Sequence, residues 1–377
     1  MKKILVFADW FEPGFKAGGP IRSVVNFVQH MKDDYEIYVL TSDRDLGSQA
    51  PYEGIATNTW IKKDKFYLFY ASPSFLQWGN IAVQIRNIAP HYVYLNSMFS
   101  KYFSIYPLLM KRLNKISGRL VLSPRGMLRD SAIGFKTGKK KLFISTLKKF
   151  GVPGKIFFHA TDETELADIK KYFGKNTSVT RAPNFPGLQG PFVQAPPKQQ
   201  GKLKAVFVGR IHPIKNLHLL LEQLRNVKAD VDLTIVGAIE DSQYWIMCRG
   251  MIDALPSFVN VYLINDVPHC QIESIIQQHH IFVLPTMGEN FGHSVFEALS
   301  AGRPVLISDQ TPWRGLREHK AGWDLPLDDP SVFTAVLNNA ASMTAEELNE
   351  WCRGAWHYCN RFIHKSGIKE KYLNLFN

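Results

Sequence analysis

Residues 281–308 read IFVLPTMGENFGHSVFEALSAGRPVLIS, and their pattern decides the fold class of the chain. An apolar strand ends at Pro285, a short polar loop follows, and a helical stretch runs to a stop at Gly302, with Pro304 and a second strand beyond it. In a doubly wound sheet, ligands bind beyond the carboxyl ends of the strands. The loop and the first turn of the helix are therefore predicted to face a ligand.

The start of this helix is suited to binding an anion. The backbone N–H groups of Phe291, Gly292, His293 and Ser294 lie at the positive end of the helix dipole. Gly292 also allows a phosphate to approach the backbone closely, because it has no side chain. Asn290, which directly precedes these residues, is included in the predicted site.

Two acids accompany this helix, Glu289 just before it and Glu297 inside it. A carboxylate accepts two hydrogen bonds side by side, which suits the paired hydroxyls of a ribose or of a sugar ring. The spacing also fits a plainer interpretation, in which Glu297 is a solvated helix residue and Glu289 is a partner of the helix dipole. From the spacing alone, both interpretations remain open.

The same alternation of β-rich runs and amphipathic helical stretches extends along the whole chain, which indicates parallel sheets with helices on their faces. It is interrupted at 183–202, where PNFPGLQGPFVQAPPKQQGK is rich in Pro, Gly and Gln and is typical of an interdomain linker. The predicted strands are 3–8, 35–40, 92–95 and 119–123 before that segment, and 204–209, 231–237, 260–264, 281–285 and 304–308 after it.

A chain of 377 residues exceeds the size at which a single hydrophobic core usually stops growing, so two domains are expected. We predict an N-terminal Rossmann-like domain at 1–185 and a linker at 186–200. A C-terminal Rossmann-like domain is predicted at 201–355, followed by a helical segment at 356–377.

Two basic residues flank the strand-to-helix turn VGRIHPIKN (208–216). Cations such as Arg210 and Lys215, one at each edge of the turn, can grip a diphosphate and stabilise it as it leaves with negative charge. The plainer alternative is two exposed basic residues among the 45 of this chain. Near the N-terminus, Gly18 and Gly19 precede a predicted helix and can bring backbone N–H groups close to a phosphate or a sugar.

The formal net charge of +12 favours an anionic partner, which can be nucleic acid, an acidic membrane or a phosphorylated substrate. The segment 136–150, KTGKKKLFISTLKKF, is basic and amphipathic, as in helices that rest on anionic lipid. A core-facing helix with a solvated lysine face fits it equally well.

No run approaches the ~18 apolar residues of a membrane span, and the four cysteines lack CxxC spacing, which argues against a zinc site or a disulfide framework. These features favour a cytoplasmic protein, and peripheral contact with the cytoplasmic face of a membrane stays open.

Taken together, these residues resemble the retaining glycosyltransferases of family 4 (glycosyl transferases group 1). The resemblance covers nearly the whole chain, and its most specific part is the E-x7-E motif of Glu289 and Glu297, joined to Arg210, Lys215 and the glycine turn at 18–19. It implies the GT-B fold, an α/β architecture of two Rossmann-like doubly wound domains that face each other across a cleft. It also implies that the C-terminal helix crosses back to the N-terminal domain.

The resemblance further implies roles for these side chains in binding a nucleotide-diphosphate sugar, which is the donor substrate. Glu297 is expected to bind the ribose, and Glu289 the hydroxyls of the donor sugar. Arg210 and Lys215 are expected to hold the diphosphate, with help from the N–H groups of residues 291–294. The implied activity is transfer of the sugar to a glycan or lipid-linked glycan acceptor, in cell-surface polysaccharide or lipopolysaccharide biosynthesis.

Other positions follow from the same resemblance. Gly18, Gly19 and the loop at Val267 are expected to contact the donor, with Val267 near its base. Many family members carry a histidine in the loop after a late strand of the first domain; here that loop reads SPRGML (123–128), and Arg125 is the candidate for its place. Retaining members usually react on the front face, and protein cations can neutralise the leaving diphosphate, so we expect neither a metal nor a cofactor.

Four other functions compete with this interpretation. A sugar-nucleotide epimerase needs acid–base residues that the sequence does not identify, and a phosphorylase needs a cofactor lysine and a longer chain. A nucleic-acid-binding protein is disfavoured because the basic residues are scattered and no recognition motif is present. An NAD-dependent oxidoreductase is disfavoured because the first strand lacks a GxGxxG fingerprint after it.

Overall fold

The computed structural model of the protein describes residues 1–129 and 137–377. They form two compact units. The first contains Met1–Phe185 together with Gly367–Asn377, and the second contains Pro186–Ser366. Lys136, the first residue of the basic segment 136–150, lies outside the described residues.

The first unit is built on an eight-stranded sheet, with the spatial order β3-β4-β2-β1-β5-β6-β7-β8. Neighbouring strands are parallel except for β3, which pairs antiparallel with β4 at one edge. The strands are β1 Lys3–Phe7, β2 Glu36–Ser42, β3 Trp60–Lys63, β4 Phe66–Ala71, β5 Tyr92–Leu95, β6 Arg119–Leu122, β7 Phe157–Ala160 and β8 Val179–Arg181. The helices between them include α1 Gly19–Met31, α2 Trp78–Ile88, α3 Tyr106–Arg112, α4 Thr137–Lys149 and α5 Glu163–Phe173.

The four strands predicted for this half of the chain are confirmed. Strands β3, β4, β7 and β8 were not predicted; β3, β7 and β8 have only 4, 4 and 3 residues, too few to show a periodic apolar pattern. Helix α1 packs on this sheet through one apolar face, since Val24, Phe27, Val28 and Met31 are all buried. The central strands read as continuous apolar runs because helices cover both faces of a parallel sheet.

The second unit contains a six-stranded, fully parallel sheet with the order β11-β10-β9-β12-β13-β14. All five strands predicted for this half are confirmed. The strands are β9 Lys202–Val208, β10 Asp230–Val236, β11 Val259–Ile264, β12 Ile281–Leu284, β13 Val305–Ser308 and β14 Gly322–Leu325. The helices are α6 Leu217–Leu224, α7 Ser242–Asp253, α8 His269–Gln277, α9 His293–Ser300, α10 Ser331–Ser342 and α11 Ala345–Lys365.

The order of this sheet reverses between β9 and β12. Strands β10 and β11 extend from one side of β9, whereas β12, β13 and β14 extend from the other. At such a switch point the loops after the two central strands diverge and leave a crevice at the carboxyl edge of the sheet. The loops after β9 and β12 carry the predicted charged residues, so the topology places them at this crevice.

The predicted boundary of the C-terminal segment at 356 is wrong. Helix α11 continues without a break to Lys365, and it buries Ala355 and Cys359 in the second unit. The return to the first unit begins at Gly367, and helix α12 then spans Ile368–Leu375. Two aromatic residues anchor it there, because the rings of Tyr372 and Phe376 lie 5.6 and 5.7 Å from the ring of Phe27 on α1.

The segment 186–200, which the composition indicates is a linker, is a packed part of the second unit. Arg303 holds it, because its fully buried guanidinium donates hydrogen bonds to the carbonyl oxygens of Val193 and Gln194, each at 2.9 Å. Further along, Lys198 donates to the carbonyl oxygen of Ala341 at 2.6 Å. The lack of apolar periodicity therefore reflects packing through backbone groups, and the segment predicted as the interdomain linker is counted in the second unit.

Candidate active site

The loop after β12 and the first turn of α9 form the centre of the site. Gly292 has φ +75°, a left-handed conformation, and a Cβ atom there would lie 3.3 Å from the indole nitrogen of Trp313 and from a methyl group of Val295. The left-handed backbone and the close neighbours both favour glycine at this position. The indole of Trp313 also donates to the carbonyl oxygen of Phe291 at 2.5 Å, which fixes the loop. Helix α9 thereby starts in a set orientation and directs the N–H groups of its first turn out of the helix.

The side chains of Lys215 and Glu289, far apart in sequence, form an ion pair. Only 16% of the lysine side chain and 13% of the glutamate side chain are exposed. Backbone contacts hold the two loops together, since Met287 N–H donates to the carbonyl oxygen of Ile214 at 2.8 Å and the Thr286 hydroxyl donates to the same oxygen at 3.0 Å. The structure thus brings one predicted cation and one predicted acid to a single point beside the helix start.

Arg210, the second predicted cation, has a partner that the sequence analysis missed. Its guanidinium lies 2.6 Å from a carboxylate oxygen of Glu240, and both side chains are more than one-third exposed. The two loops are tied by a bridge between Ile211 and Ile239. Since Glu240 follows β10 and Arg210 follows β9, both side chains lie at the carboxyl edge of the sheet.

Glu297 also has an unforeseen partner, His269. The Nε2 atom of His269 lies 2.8 Å from Oε1 of Glu297, and the glutamate side chain is mostly buried. His269 is the first residue of α8, after the loop that follows β11. The signal that could have indicated His269 is its place just past a strand of the parallel sheet. Val267 lies in the same loop, but its side chain packs in the hydrophobic core of the second unit.

Three of the predicted site residues belong to the first unit. Gly18 precedes α1 with φ +63°, and Gly19 is the first residue of that helix. Arg125 has φ +55° and lies in the loop after β6. Its guanidinium is held by several acceptors, which are Tyr94 Oη at 2.9 Å, Asn96 Oδ1 at 2.6 Å and the side-chain oxygen of Asn184.

A buried histidine completes this arrangement around Arg125. The Nε2 atom of His159 lies 2.7 Å from the carbonyl oxygen of Ala182, which can only accept, so Nε2 carries the proton. Nδ1 then accepts from the hydroxyl of Tyr94 at 2.8 Å. Burial, reinforced by the charge of Arg125, lowers the pKa of His159 to about 3. His159 is therefore neutral at physiological pH and serves to orient Tyr94 and, through it, Arg125.

Among residues 1–129 and 137–377, the side chains of His, Cys, Asp and Glu form no group of three or more that could hold a metal ion. At the carboxyl edge of the second sheet, Arg210 and Lys215 each lie opposite an acid. The same part of the chain contains no helix that is both long and apolar enough to cross a bilayer.

Part of the second unit is similar in sequence to known proteins. Residues 191–340 match the family described as Glycosyl transferases group 1. A phosphatidyl-myo-inositol mannosyltransferase of Mycobacterium tuberculosis is 32% identical over 145 residues, which cover 37% of this chain and 36% of that protein. The O-antigen chain mannosyltransferase RfbU of Salmonella typhimurium is 24% identical over 131 residues, or 35% of this chain and 36% of that protein. The matched region thus spans about one-third of the length of these relatives.

Similarity of the fold extends further than similarity of the sequence. The crystal structure of Anabaena Alr3699/HepE in complex with UDP-glucose superposes with a TM-score of 0.67, at 12% identity, over 100% of this chain and 99% of that one. The second unit is therefore similar to the glycosyl transferases group 1 family over residues 191–340, and the chain as a whole has the GT-B fold.

Proposed function

We propose that the protein is a retaining glycosyltransferase of family 4. In this proposal it moves a sugar from a nucleotide-diphosphate sugar to a glycan or lipid-linked glycan acceptor, without a metal ion. The observation that supports this most directly is the Lys215–Glu289 ion pair beside the start of α9. It combines a cation, an acid and helix N–H groups in the part of the sheet where ligands of this architecture bind.

The diphosphate of the donor is assigned to the cations and to the helix start. Glu289 holds the ammonium group of Lys215 in place before any ligand arrives, so little side-chain ordering is needed when a phosphate binds. Arg210 offers a planar guanidinium that matches phosphate geometry. Its pairing with the exposed Glu240 is weak enough for a phosphate to displace.

The nucleoside is assigned to Glu297. Because His269 contacts Oε1, the second oxygen of the carboxylate, Oε2, is available to accept from a ribose hydroxyl. His269 acts here as a positioning residue that fixes the orientation of the carboxylate. Glu289 is assigned to the hydroxyls of the donor sugar, and its contact with Lys215 places the sugar close to the diphosphate.

The chemical step follows from the charges. As the bond between the sugar and the diphosphate breaks, negative charge grows on the leaving oxygen, and Lys215 and Arg210 neutralise it. That oxygen takes the proton of the acceptor hydroxyl on the same face of the sugar, and the acceptor oxygen forms the new bond there. The configuration at the sugar carbon is retained because attack and departure share one face.

The acceptor class is inferred from the relatives. Their names give phosphatidyl-myo-inositol and the O-antigen chain as acceptors, both of which belong to membrane-linked glycans or glycolipids. We therefore assign the protein to cell-surface polysaccharide or lipopolysaccharide biosynthesis, on the cytoplasmic face of the membrane.

A thermal-shift panel of UDP-, GDP-, ADP- and CDP-sugars tests the donor assignment. One nucleotide series is expected to stabilise the chain by about 2.7 kcal/mol at ~100 times its dissociation constant, and the shift should be the same in EDTA. A Glu297→Gln variant should lose much of the shift, whereas Glu318→Gln, an exposed acid of the same unit, should keep it. No shift with any donor, or a shift that requires added magnesium or manganese, would contradict the assignment.

Contact with anionic lipid is proposed for helix α4. The helix buries Ile144 and Leu147 in the core of the first unit, which confirms a core-facing side. Leu142 on the helix and Phe150 just after its end are exposed, by 69% and 52%, among lysine side chains. Exposed apolar groups set between cations match the interface of an anionic bilayer.

The full-length chain is therefore expected to sediment with phosphatidylglycerol vesicles and to stay in solution with phosphatidylcholine vesicles. The double variant Leu142→Ser/Phe150→Ser should reduce the bound fraction several-fold, and Leu188→Ser, which alters another exposed leucine, should not. Equal binding to both kinds of vesicle, or an unaffected double variant, would rule out this lipid contact.

A further inference from the structure

A cavity lies at the amino ends of strands β9, β10 and β11 of the second sheet. Its volume is about 530 Å³, within the ~300–1,000 Å³ range of sites for small ligands. Strand β9 has seven residues, so its amino end lies ~20 Å from the carboxyl end that leads to Arg210 and Lys215. The cavity is therefore separate from the candidate active site.

Polar side chains form the floor of this cavity, because one face of the sheet is uncovered there. Lys204, Asp232 and Asn260 lie side by side in register on β9, β10 and β11. Asp230 precedes Asp232 by two residues, so it belongs to the same face. Val231, between the two aspartates, points to the other face and is buried. This end of the sheet thus has one core face and one polar face.

The groups of the floor are held in place before a ligand binds. The side-chain amide of Asn260 donates to Oδ1 of Asp232 at 3.0 Å. The backbone N–H of Lys204 donates to Nδ1 of His280 at 2.9 Å, so Nε2 of His280 carries the proton and donates to the carbonyl oxygen of Pro197 at 3.2 Å. Burial lowers the pKa of His280 to about 4, so the ring is neutral at physiological pH and adds no charge to the cavity. Such preorganisation reduces the entropy that a ligand loses on binding.

The mixture of charges and hydrogen-bonding groups selects the chemical class of the ligand. Asp230 and Asp232 repel an anion such as a phosphate, and Lys204 repels a cation, so a neutral ligand is favoured. A hydroxyl group both donates and accepts, so a sugar can pair with ammonium, carboxylate and amide groups alike. Carboxylate, amide and hydroxyl groups in the lining come from Gln199, Asp230, Asp232, Ser257 and Asn260.

Two further features match a sugar ring. Because Asn260 occupies Oδ1 of Asp232, Oδ2 of Asp232 and the side-chain oxygen of Asn260 remain to accept from neighbouring hydroxyls. Phe258, which directly precedes β11, adds an aromatic side chain that is 40% exposed. The C–H groups of a pyranose ring can pack on this side chain while its hydroxyls face the polar floor.

We propose that this cavity binds a neutral oligosaccharide, at a site distinct from the one assigned to the nucleotide sugar. The glycan is held here as a bound ligand and does not react, since the cations assigned to the chemical step lie at the other edge of the sheet. The inference rests on the lining of the cavity alone, so it does not depend on the proposed glycosyltransferase activity.

Ligand-observed NMR with the full chain, in the absence of nucleotide, tests the site. The neutral probes are maltotriose, mannotriose and galactotriose, and trigalacturonic acid is the acidic counterpart of the last. At least one neutral trisaccharide is expected to bind, and to bind more tightly than trigalacturonic acid. Asp232→Ala and Phe258→Ala should each weaken its affinity about tenfold, the effect of losing one hydrogen bond to a charged group or one aromatic contact.

Matched changes elsewhere should leave this affinity intact. Asp328→Ala alters an exposed acid after β14, and Phe150→Ala alters an exposed aromatic residue of the first unit. Since Phe258 is exposed, Phe258→Ala should keep the wild-type thermal midpoint, and it decides the outcome if Asp232→Ala is destabilised. The proposal is overturned if no neutral trisaccharide binds, if trigalacturonic acid binds more tightly, or if both cavity variants keep wild-type affinity. Loss of binding in Glu297→Gln would also overturn it, because the sugar would then occupy the candidate active site.

Discussion

Replacing Lys215 with alanine is expected to abolish turnover while the chain keeps its fold. Turnover is measured as release of the nucleoside diphosphate from whichever nucleotide sugar stabilises the protein most. Lys215 supplies positive charge to the leaving diphosphate at a mostly buried position, where water screens little of the interaction. Removing one such group from a preorganised site costs about 2.7–4 kcal/mol, so kcat should fall by at least ~10²–10³-fold.

The controls separate a chemical role from a structural one. Lys215→Ala leaves the carboxylate of Glu289 without its partner, so some loss of thermal stability is expected. The double variant Lys215→Ala/Glu289→Gln should recover that stability but not turnover. Lys202→Ala removes an exposed lysine at the start of β9, the opposite end of the strand, and should be fully active. If Lys215→Ala turns over as fast as the wild type, its assigned role is wrong.

Replacing Arg303 with methionine is expected to destabilise the second unit by about 3 kcal/mol or more. Its side chain is fully buried and donates to five carbonyl oxygens, so its removal leaves buried acceptors without a donor. Besides Val193 and Gln194, these carbonyls belong to Gln277, Ala301 and Gly302. The loss should lower the denaturant midpoint and free residues 186–200 from the rest of the unit.

Limited proteolysis measures whether residues 186–200 are released from the rest of the second unit. Cleavage within 186–200 should become fast in Arg303→Met and stay slow in the wild type. Arg353→Met is the matched control, because Arg353 is exposed and its guanidinium lies 5.9 Å from the ring of Phe192 in the same segment. Equal midpoints for Arg303→Met and the wild type would show that these hydrogen bonds do not hold the segment.

Features that depend on neighbouring residues could be predicted from the sequence, and features that depend on contacts between distant residues could not. Strands and helices of the core follow from periodicity, which is local, and all nine predicted strands are found. The segment 186–200 has no periodicity because it packs through backbone carbonyls, and a backbone group leaves no trace in the sequence of its own segment. The trace lies in Arg303, more than a hundred residues away. Nothing near Arg303 distinguishes it from the other basic residues of the chain.

The sequence by itself determined the α/β class and the position of helix α9 directly after strand β12, because each depends on residues within a few positions of one another. Only the tertiary structure decided the partners: Glu289 for Lys215, Glu240 for Arg210 and His269 for Glu297. These pairs depend on the order of strands in the sheet, which brings together loops from distant parts of the chain. Strand order is set by how whole helices and strands pack, and no spacing within a single segment encodes it.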